Sequence, residues 1–290
     1  MEKTELRAKI FSKIEELPTL PIVLPRLLNL MENKKSDASE IAHAISHDPA
    51  LASKVLKVSN SAYYGFSRKI YNLDRAVPLL GLNMVKSLAL SIGVMGSLPA
   101  GGAKSRHFSR EDLWIHSLAV ATVVQKLSKS AGKAGKHEHL FIVGLLHDMG
   151  KIVLDQFFCE PFGEALEELW SGKTQNLFMA ERKILGMDHG EIGEMLLKRW
   201  NFPGIISDPI SVHHRTQVPD SINLTDVAML RVADTLCREL GFGDQEFFAH
   251  PETHVTDMEL LGLDEEALSD MKAYLNGAED GIHDFFNAMN

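Results

Sequence analysis

Histidine and aspartate stand in this sequence where an apolar pattern calls for leucine or valine. The densest case is LLHDMGK, residues 145–151. His147 and Asp148 are adjacent on what reads as one apolar helix, about 100° apart around its axis. Lys151 follows at three and four residues and shares their face. An ionisable pair in an apolar helix is costly to bury unless something satisfies it. A bound cation does so, with aspartate supplying charge and histidine a neutral nitrogen donor. A helix end, with the aspartate as a cap, is the plainer alternative.

Further donors are set into other apolar segments. His116 lies in EDLWIHSLAVATVV, His189 in GMDHGEIGEMLLKRW, and Asp234 in MLRVADTLC. His213 and His214 form a second adjacent pair after PGIISDPISV. Each has a bland reading as a core histidine with one hydrogen bond, a cap or surface decoration. Asp188 and Glu191 read as a capping box for the helix that carries His189. Asp112, four residues before His116, either caps its helix, orients His116 or reaches a further ion.

Taken together, His116, His147, Asp148, His189, His213, His214 and Asp234 exceed the four ligands of a single tetrahedral zinc. They suit two divalent ions sharing a carboxylate, with Asp148 as the bridge. Imidazole and carboxylate without cysteine point to Fe, Mn, Zn, Co or Ni. Two such ions clamp a phosphate ester and acidify a bridging water. Asp148 and Lys151 are then the catalytic candidates, Lys151 placing positive charge near a phosphoryl oxygen.

Holding these side chains takes helices, and the chain reads as helix nearly throughout. Leu24, Leu27, Leu28 and Met31 recur at helical spacing after Pro21 and Pro25. Ser39 is expected to cap EIAHAISHD, and Pro49 to open the next helix. NMVKSLALSIGVMGSL is apolar enough to be buried. Ser109 is expected to start a long helix. The linker composition of PAGGAKSRHFS, residues 99–109, marks a domain boundary. Further breaks are expected at 131–137, 171–176, 201–204 and 215–223. The fold class is therefore all-α, with an N-terminal helical subdomain over 1–105. A metal-binding helical bundle with acidic C-terminal helices occupies 106–290.

Composition narrows the function classes. The 290 residues carry a net charge of −9 and are 45% hydrophobic, ordinary for a globular protein. Residues 1–110 hold 16 Lys/Arg against 9 Asp/Glu, and residues 111–290 hold 14 against 30. The basic excess contains no Lys/Arg run longer than two. It reads as a solvated helical face, so nucleic acid is not expected as a partner. No apolar run reaches the roughly 18 to 20 residues of a membrane span. The N-terminus is charged throughout, without a signal-peptide centre. Two cysteines fit a reducing compartment. These features lead us to expect a soluble cytoplasmic protein with no membrane partner.

The series His116, His147-Asp148, His189, His213-His214, Asp234 resembles the HD superfamily of metal-dependent phosphohydrolases, and LLHDMGK looks like its signature. The paired histidine resembles the HD-GYP branch, which hydrolyses cyclic di-GMP. VADTLCRELGFGDQEF comes after Asp234 in place of a GYP segment, so that specificity is not carried over. LPTLPIVLPRLLNLM, ISHDPALASKVLKVSNSAYYGFSRKI and NLDRAVPLLGLNMVKSLALS closely resemble the HDOD domain, an HD-related output domain of bacterial signalling proteins. The combined resemblance covers roughly residues 15–235. It implies an HD-type bundle at the C-terminal end. His47-Asp48 falls in the HDOD motif region and is read as a helix terminus.

The residues and the resemblance support three functional expectations. The first is a signalling output module that binds two transition-metal ions and acts on a protein partner or a nucleotide-like phosphate ligand. The second is an active phosphohydrolase, a phosphodiesterase acting on a nucleotide. The third is a metal-free interaction module. With no sensor segment recognisable before residue 15, input is expected from another chain or a small ligand. The sequence leaves the oligomeric state open.

Overall fold

The computed structural model describes residues 3–32, 37–98, 105, 108–130, 137, 139–243 and 251–289. All regular structure among the described residues is helical. In chain order the helices are α1 (Lys3–Glu16), α2 (Val23–Glu32), α3 (Ala38–Ser46), α4 (Pro49–Ser59), α5 (Leu73–Leu80), α6 (Leu82–Ser97), α7 (Arg110–Ser130) and α8 (Leu140–Leu146). They continue as α9 (Met149–Phe157), α10 (Cys159–Trp170), α11 (Leu177–Ile184), α12 (His189–Arg199), α13 (Gly204–Val212), α14 (Leu224–Glu239), α15 (Pro251–Leu261) and α16 (Glu265–Met289). A single 3₁₀ turn, Ala62–Tyr64, lies between α4 and α5. Most of the linker expected at 99–109, and residues 131–136 of the next expected break, lie outside the described residues.

The helices fall into two compact units whose segments alternate along the chain. One comprises Met1–Leu17 with Pro99–Ala273, the other Pro18–Leu98 with Tyr274–Asn290. This division differs from a single cut at 105/106, and the buried stripes of two helices explain why. In α1, Leu6, Ile10 and Ile14 recur every fourth residue and are buried. That helix packs on α12, where Arg199 reaches Glu15. The last turns of α16 bury Ile282, Phe285 and Phe286. Phe285 meets the Tyr63 ring edge-on at 5.1 Å. Each stripe buries apolar surface that a terminal helix would otherwise expose.

In the unit of residues 18–98 and 274–290, α6 packs against α2, α3, α4 and α5. Val85, Leu88, Leu90, Ile92 and Val94 of α6 are buried, as its apolar composition predicts. The apolar pair α5–α6 turns through 117°. No single helix among the described residues is long and apolar enough to cross a membrane. The cap of α3 differs from expectation. Asp37, not Ser39, accepts from the Glu40 N–H at 2.9 Å, and Glu40 accepts from the Asp37 N–H at 3.2 Å. Asp37 has a carboxylate three residues on to close the box, whereas Ser39 has Ala42. Asp48 caps α4, accepting from Ala50 and Leu51, with Pro49 at its first turn. His47-Asp48 is therefore a helix junction, as its position between two apolar runs suggests.

In the unit of residues 1–17 and 99–273, α7 packs on α8 and α14, α9 on α12, and α12 on α13. Glycine permits two of these approaches. A Cβ at Gly144 of α8 would lie 2.8 Å from Ala121 Cα of α7. One at Gly150 of α9 would lie 1.9 Å from the His189 carbonyl oxygen at the start of α12. Asp188 caps α12 in a complete capping box with Glu191. The Ser109 hydroxyl accepts from the Asp112 N–H at 3.2 Å at the start of α7, so Ser109 is the cap, and the Asp112 side chain is exposed.

Candidate metal centre

His147 and Asp148 do not share a helix. Helix α8 ends at Leu146 and α9 begins at Met149, with His147 and Asp148 at the joint. The apolar pattern runs on across the break, which is why sequence periodicity reads one helix there. The joint turns the His147 ring back, so that its Nδ1–H donates to the Gly144 carbonyl at 2.7 Å. Asp148 makes no side-chain cap bond. Its carboxylate is left for the interior of the unit.

Five segments supply the other side chains. His116 comes from α7, His189 is the first residue of α12, and His213 and His214 come directly after α13. Asp234 sits midway along α14, and Lys151 in the first turn of α9. All seven expected donors come together. Asp148, His189, His213 and His214 form one cluster with ligand atoms within 4.8 Å of one another, and His116, His147 and Asp234 form another. Every one of these side chains is buried except that of His214, which is half-buried.

Asp148 links the clusters. Its Oδ1 lies 3.1 Å from His189 Nε2 and 3.8 Å from His213 Nε2. Its Oδ2 lies 3.3 Å from His147 Nε2 and 3.9 Å from His116 Nε2. Lys151 Nζ donates to the same Oδ2 at 2.8 Å. In the second cluster, His116 Nε2 is 2.9 Å from Asp234 Oδ1. In the first, His189 Nε2 is 2.9 Å from His214 Nε2, and the His214 ring stacks on Phe178 at 4.7 Å.

The far side of each buried ring is pinned. Nδ1 of His116, His147 and His213 donates to the carbonyls of Phe242, Gly144 and Ile210. Nδ1 of His189 donates to Glu181 Oε2 at 2.7 Å. Pinning Nδ1 directs Nε2 inward and fixes the tautomer a metal needs. Three inward atoms, His147 Nε2, Asp148 Oδ1 and His213 Nε2, are buried and make no hydrogen bond among the described residues. Such groups are expensive to bury unsatisfied, and a cation coordinated by them removes that cost. The donor set fits a divalent metal.

The electrostatics match this arrangement. Burial opposes charge on Asp148, but His147 and Lys151 outweigh it and hold its carboxyl well below the usual carboxylate range. Asp234 is held well below it too, where Arg238 and His116 outweigh burial. Burial would lower His147, but Asp148 and Asp234 raise it to about 9. Burial is likewise outweighed at His189, chiefly by Glu181, and its value rises to about 10. His116, His213 and His214 are lowered, burial being the leading cause in each.

Sequence reasoning missed Glu181 and Arg238. Glu181 reads as a solvated charge in LFMAERKI but is fully buried, its charge raised in cost by burial. Arg238 Nε donates to Asp234 Oδ1 at 2.8 Å. The i,i+4 spacing of Asp234 and Arg238 was the available signal. A separate trio, in which His137 and His139 flank the buried Asp226 at 2.6 and 2.9 Å, also went unread.

Comparison with known proteins fits this picture. A model of the HDOD domain family matches residues 17–216. An uncharacterized protein of Treponema pallidum (strain Nichols) is 29% identical over 213 residues, which is 73% of this chain and 40% of that protein. The chain therefore spans less than half the length of the relative it matches. A crystal structure of an HDOD domain protein with unknown function from Geobacter sulfurreducens is similar with a TM-score of 0.78 and 24% identity. The similarity covers 98% of this chain and 96% of that one. A protein of Shewanella amazonensis named as a candidate phosphohydrolase is similar with a TM-score of 0.73 and 24% identity, over 97% and 98% of the two chains. At these identities the likeness is one of fold.

Proposed function

The chain belongs to the HDOD domain family, and from its buried His–Asp centre we propose that it is a signalling output module holding two divalent transition-metal ions. The observation that carries this reading is the division of Asp148. One of its oxygens faces His189 and His213, and the other faces His147 and His116. A carboxylate presented in this way suits a bridging ligand between two ions. His189, His213 and His214 would complete one position, and His116, His147 and Asp234 the other. The set is imidazole and carboxylate without thiolate, which favours Fe, Mn, Zn, Co or Ni. Both cysteines are free thiols, in keeping with a cytoplasmic setting.

In this reading metal occupancy fixes the joint between α8 and α9 and the start of α12. The output is a change of surface offered to a protein partner or answered by a nucleotide-like phosphate ligand. Metal content of protein purified without an affinity tag tests it. About two equivalents in the wild type, lost in the His147→Ala, Asp148→Ala double variant, are expected. Protein that carries no metal and refuses added metal would overturn it and leave the metal-free interaction module.

Lys151 favours a second reading, an active phosphohydrolase, in line with the name of the Shewanella amazonensis protein. A dinuclear centre supplies Lewis acidity and an acidified water when bound. Lys151 holds a proton and a positive charge at Nζ, 2.8 Å from Asp148 Oδ2. There it would orient the carboxylate and face a phosphoryl oxygen. Turnover of cyclic or linear nucleotides above the His147→Ala, Asp148→Ala control would establish this reading. No turnover across the panel would reject it for those substrates.

A further inference from the structure

The two halves of the centre share Asp148 but face opposite charge. Glu181 stands behind the His189 half. It is fully buried, and its Oε2 accepts from both the ring Nδ1–H and the backbone N–H of His189, at 2.7 and 2.9 Å. Its Oε1 makes no hydrogen bond among the described residues. The carboxylate charge is therefore directed through the imidazole, which makes Nε2 a stronger donor.

Around the His116 half the added charges are positive. Arg238 Nε lies 2.8 Å from Asp234 Oδ1. That oxygen is also 2.9 Å from His116 Nε2 and 3.7 Å from His147 Nε2. Lys151 engages Asp148 through Oδ2, the oxygen on the His147 side. Both cations are largely shielded from water, with side-chain exposures of 11% for Arg238 and 1% for Lys151. Charges in such surroundings act on an incoming ion far more strongly than exposed ones do. A dication approaching the His189 half meets an extra carboxylate next to a ligand ring, with Lys151 acting on His189 and Arg238 on His214 from farther off. In the other half it meets a guanidinium and an ammonium, and the guanidinium shares its aspartate ligand atom.

Building on the two-ion reading, we propose that the two positions load unequally. The His189–His213–His214 position takes its ion first and tightly, and Arg238 holds the His116–His147–Asp234 position weak by sharing Asp234 Oδ1. Glu181 and Arg238 are positioning residues of opposite effect. At limiting metal the protein is a one-ion species, and the second ion enters only as metal becomes plentiful. The centre thus reports metal supply as well as binding metal.

Titration of the chelator-stripped full chain with cobalt(II), followed by visible absorption and calorimetry, tests this. Wild type should show two classes of site about tenfold or more apart. His213→Ala should remove the tight class, and His116→Ala the weak one. Glu181→Gln keeps an acceptor for His189 and should weaken the tight class by about tenfold. Arg238→Gln should tighten the weak class until the two approach each other, and Arg238→Lys should restore the gap. Two equal classes in wild type, loss of the tight class in His116→Ala, or an unchanged gap in Arg238→Gln would each overturn the proposal. Wild type that binds no cobalt would overturn the two-ion reading itself, a result distinct from any of these. Thermal melts of each variant confirm that the folded chain was titrated.

Discussion

The carbonyl oxygen of His189 lies 1.9 Å from where a Cβ would stand at Gly150. Both neighbours in that contact are backbone, so no side-chain rotation relieves it. The start of α12 and the first turn of α9 touch there, at the backbone of the residue whose ring faces the candidate metal position and two residues from Asp148. Gly150→Ala should destabilise the protein by at least the roughly 1–3 kcal/mol typical of overpacking. Metal uptake should fall with it. Gly163 of α10 has nothing within 4 Å of its would-be Cβ. Gly163→Ala should be neutral or stabilise by about 0.5–1 kcal/mol. Denaturant melts of the two variants check the pair, and equal effects would contradict the packing argument.

The metal-free protein should lose stability as pH rises from neutrality. His147 at about 9 and His189 at about 10 bind a proton more tightly folded than unfolded. Their contribution is complete below an unfolded value of about 6.5. It is lost as pH rises through about 9 and 10. Asp148 and Asp234, held low, act in the opposite sense. Their contribution is present above about 3.9 and lost in strong acid. Melting temperature against pH in the presence of chelator reads this directly, and a rise between neutral and alkaline pH would refute it.

Metal uptake at neutral pH should release protons, because coordination requires neutral Nε2 on His147 and His189. Apparent affinity should therefore increase with pH over the range where the metal-free melting temperature falls. Calorimetric titrations in buffers of different ionisation enthalpy count the protons. A heat of binding independent of the buffer would contradict the protonated state of these two rings.

Asp155 of α9 is buried and accepts from the Ser105 N–H at 2.8 Å and from Arg110 Nε at 2.9 Å. Asp155→Ala strips both donors of their acceptor. The cost should be about 3 kcal/mol, the lower end for breaking a buried pair, since Arg110 also reaches Gln156. Metal stoichiometry should be unchanged in the folded fraction. Chemical denaturation with parallel metal analysis separates the two quantities.

The sequence disclosed which side chains gather at the centre more completely than their setting. His116, His147, Asp148, His189, His213, His214 and Asp234 were visible because each interrupts an apolar pattern, and the helices were visible from the same periodicity. The joint at His147-Asp148 was not. Apolar residues on both sides keep a helical phase, and the break is set by the packing of α8 on α7 and α9 on α12. Glu181 was invisible for a different reason, and Arg238 was signalled only by its spacing from Asp234. A charged residue on an amphipathic helix is ordinarily solvated, and only the assembled unit shows these two facing inward. Ser39 was expected to cap α3, but Glu40 completes a box only with Asp37.

The alternation of segments between the two units has a consequence for synthesis. The ribosome finishes α2–α6 before it reaches α7, yet Ile282, Phe285 and Phe286, which complete the core of that unit, are made only after Ala273. Those helices wait through the translation of nearly two hundred further residues with an open apolar face, the condition that invites chaperones and aggregation. The other unit carries its first helix from the outset and needs nothing made after Ala273. Order of manufacture and order of folding are thus opposed for α2–α6, which are made well before the segment that closes their core.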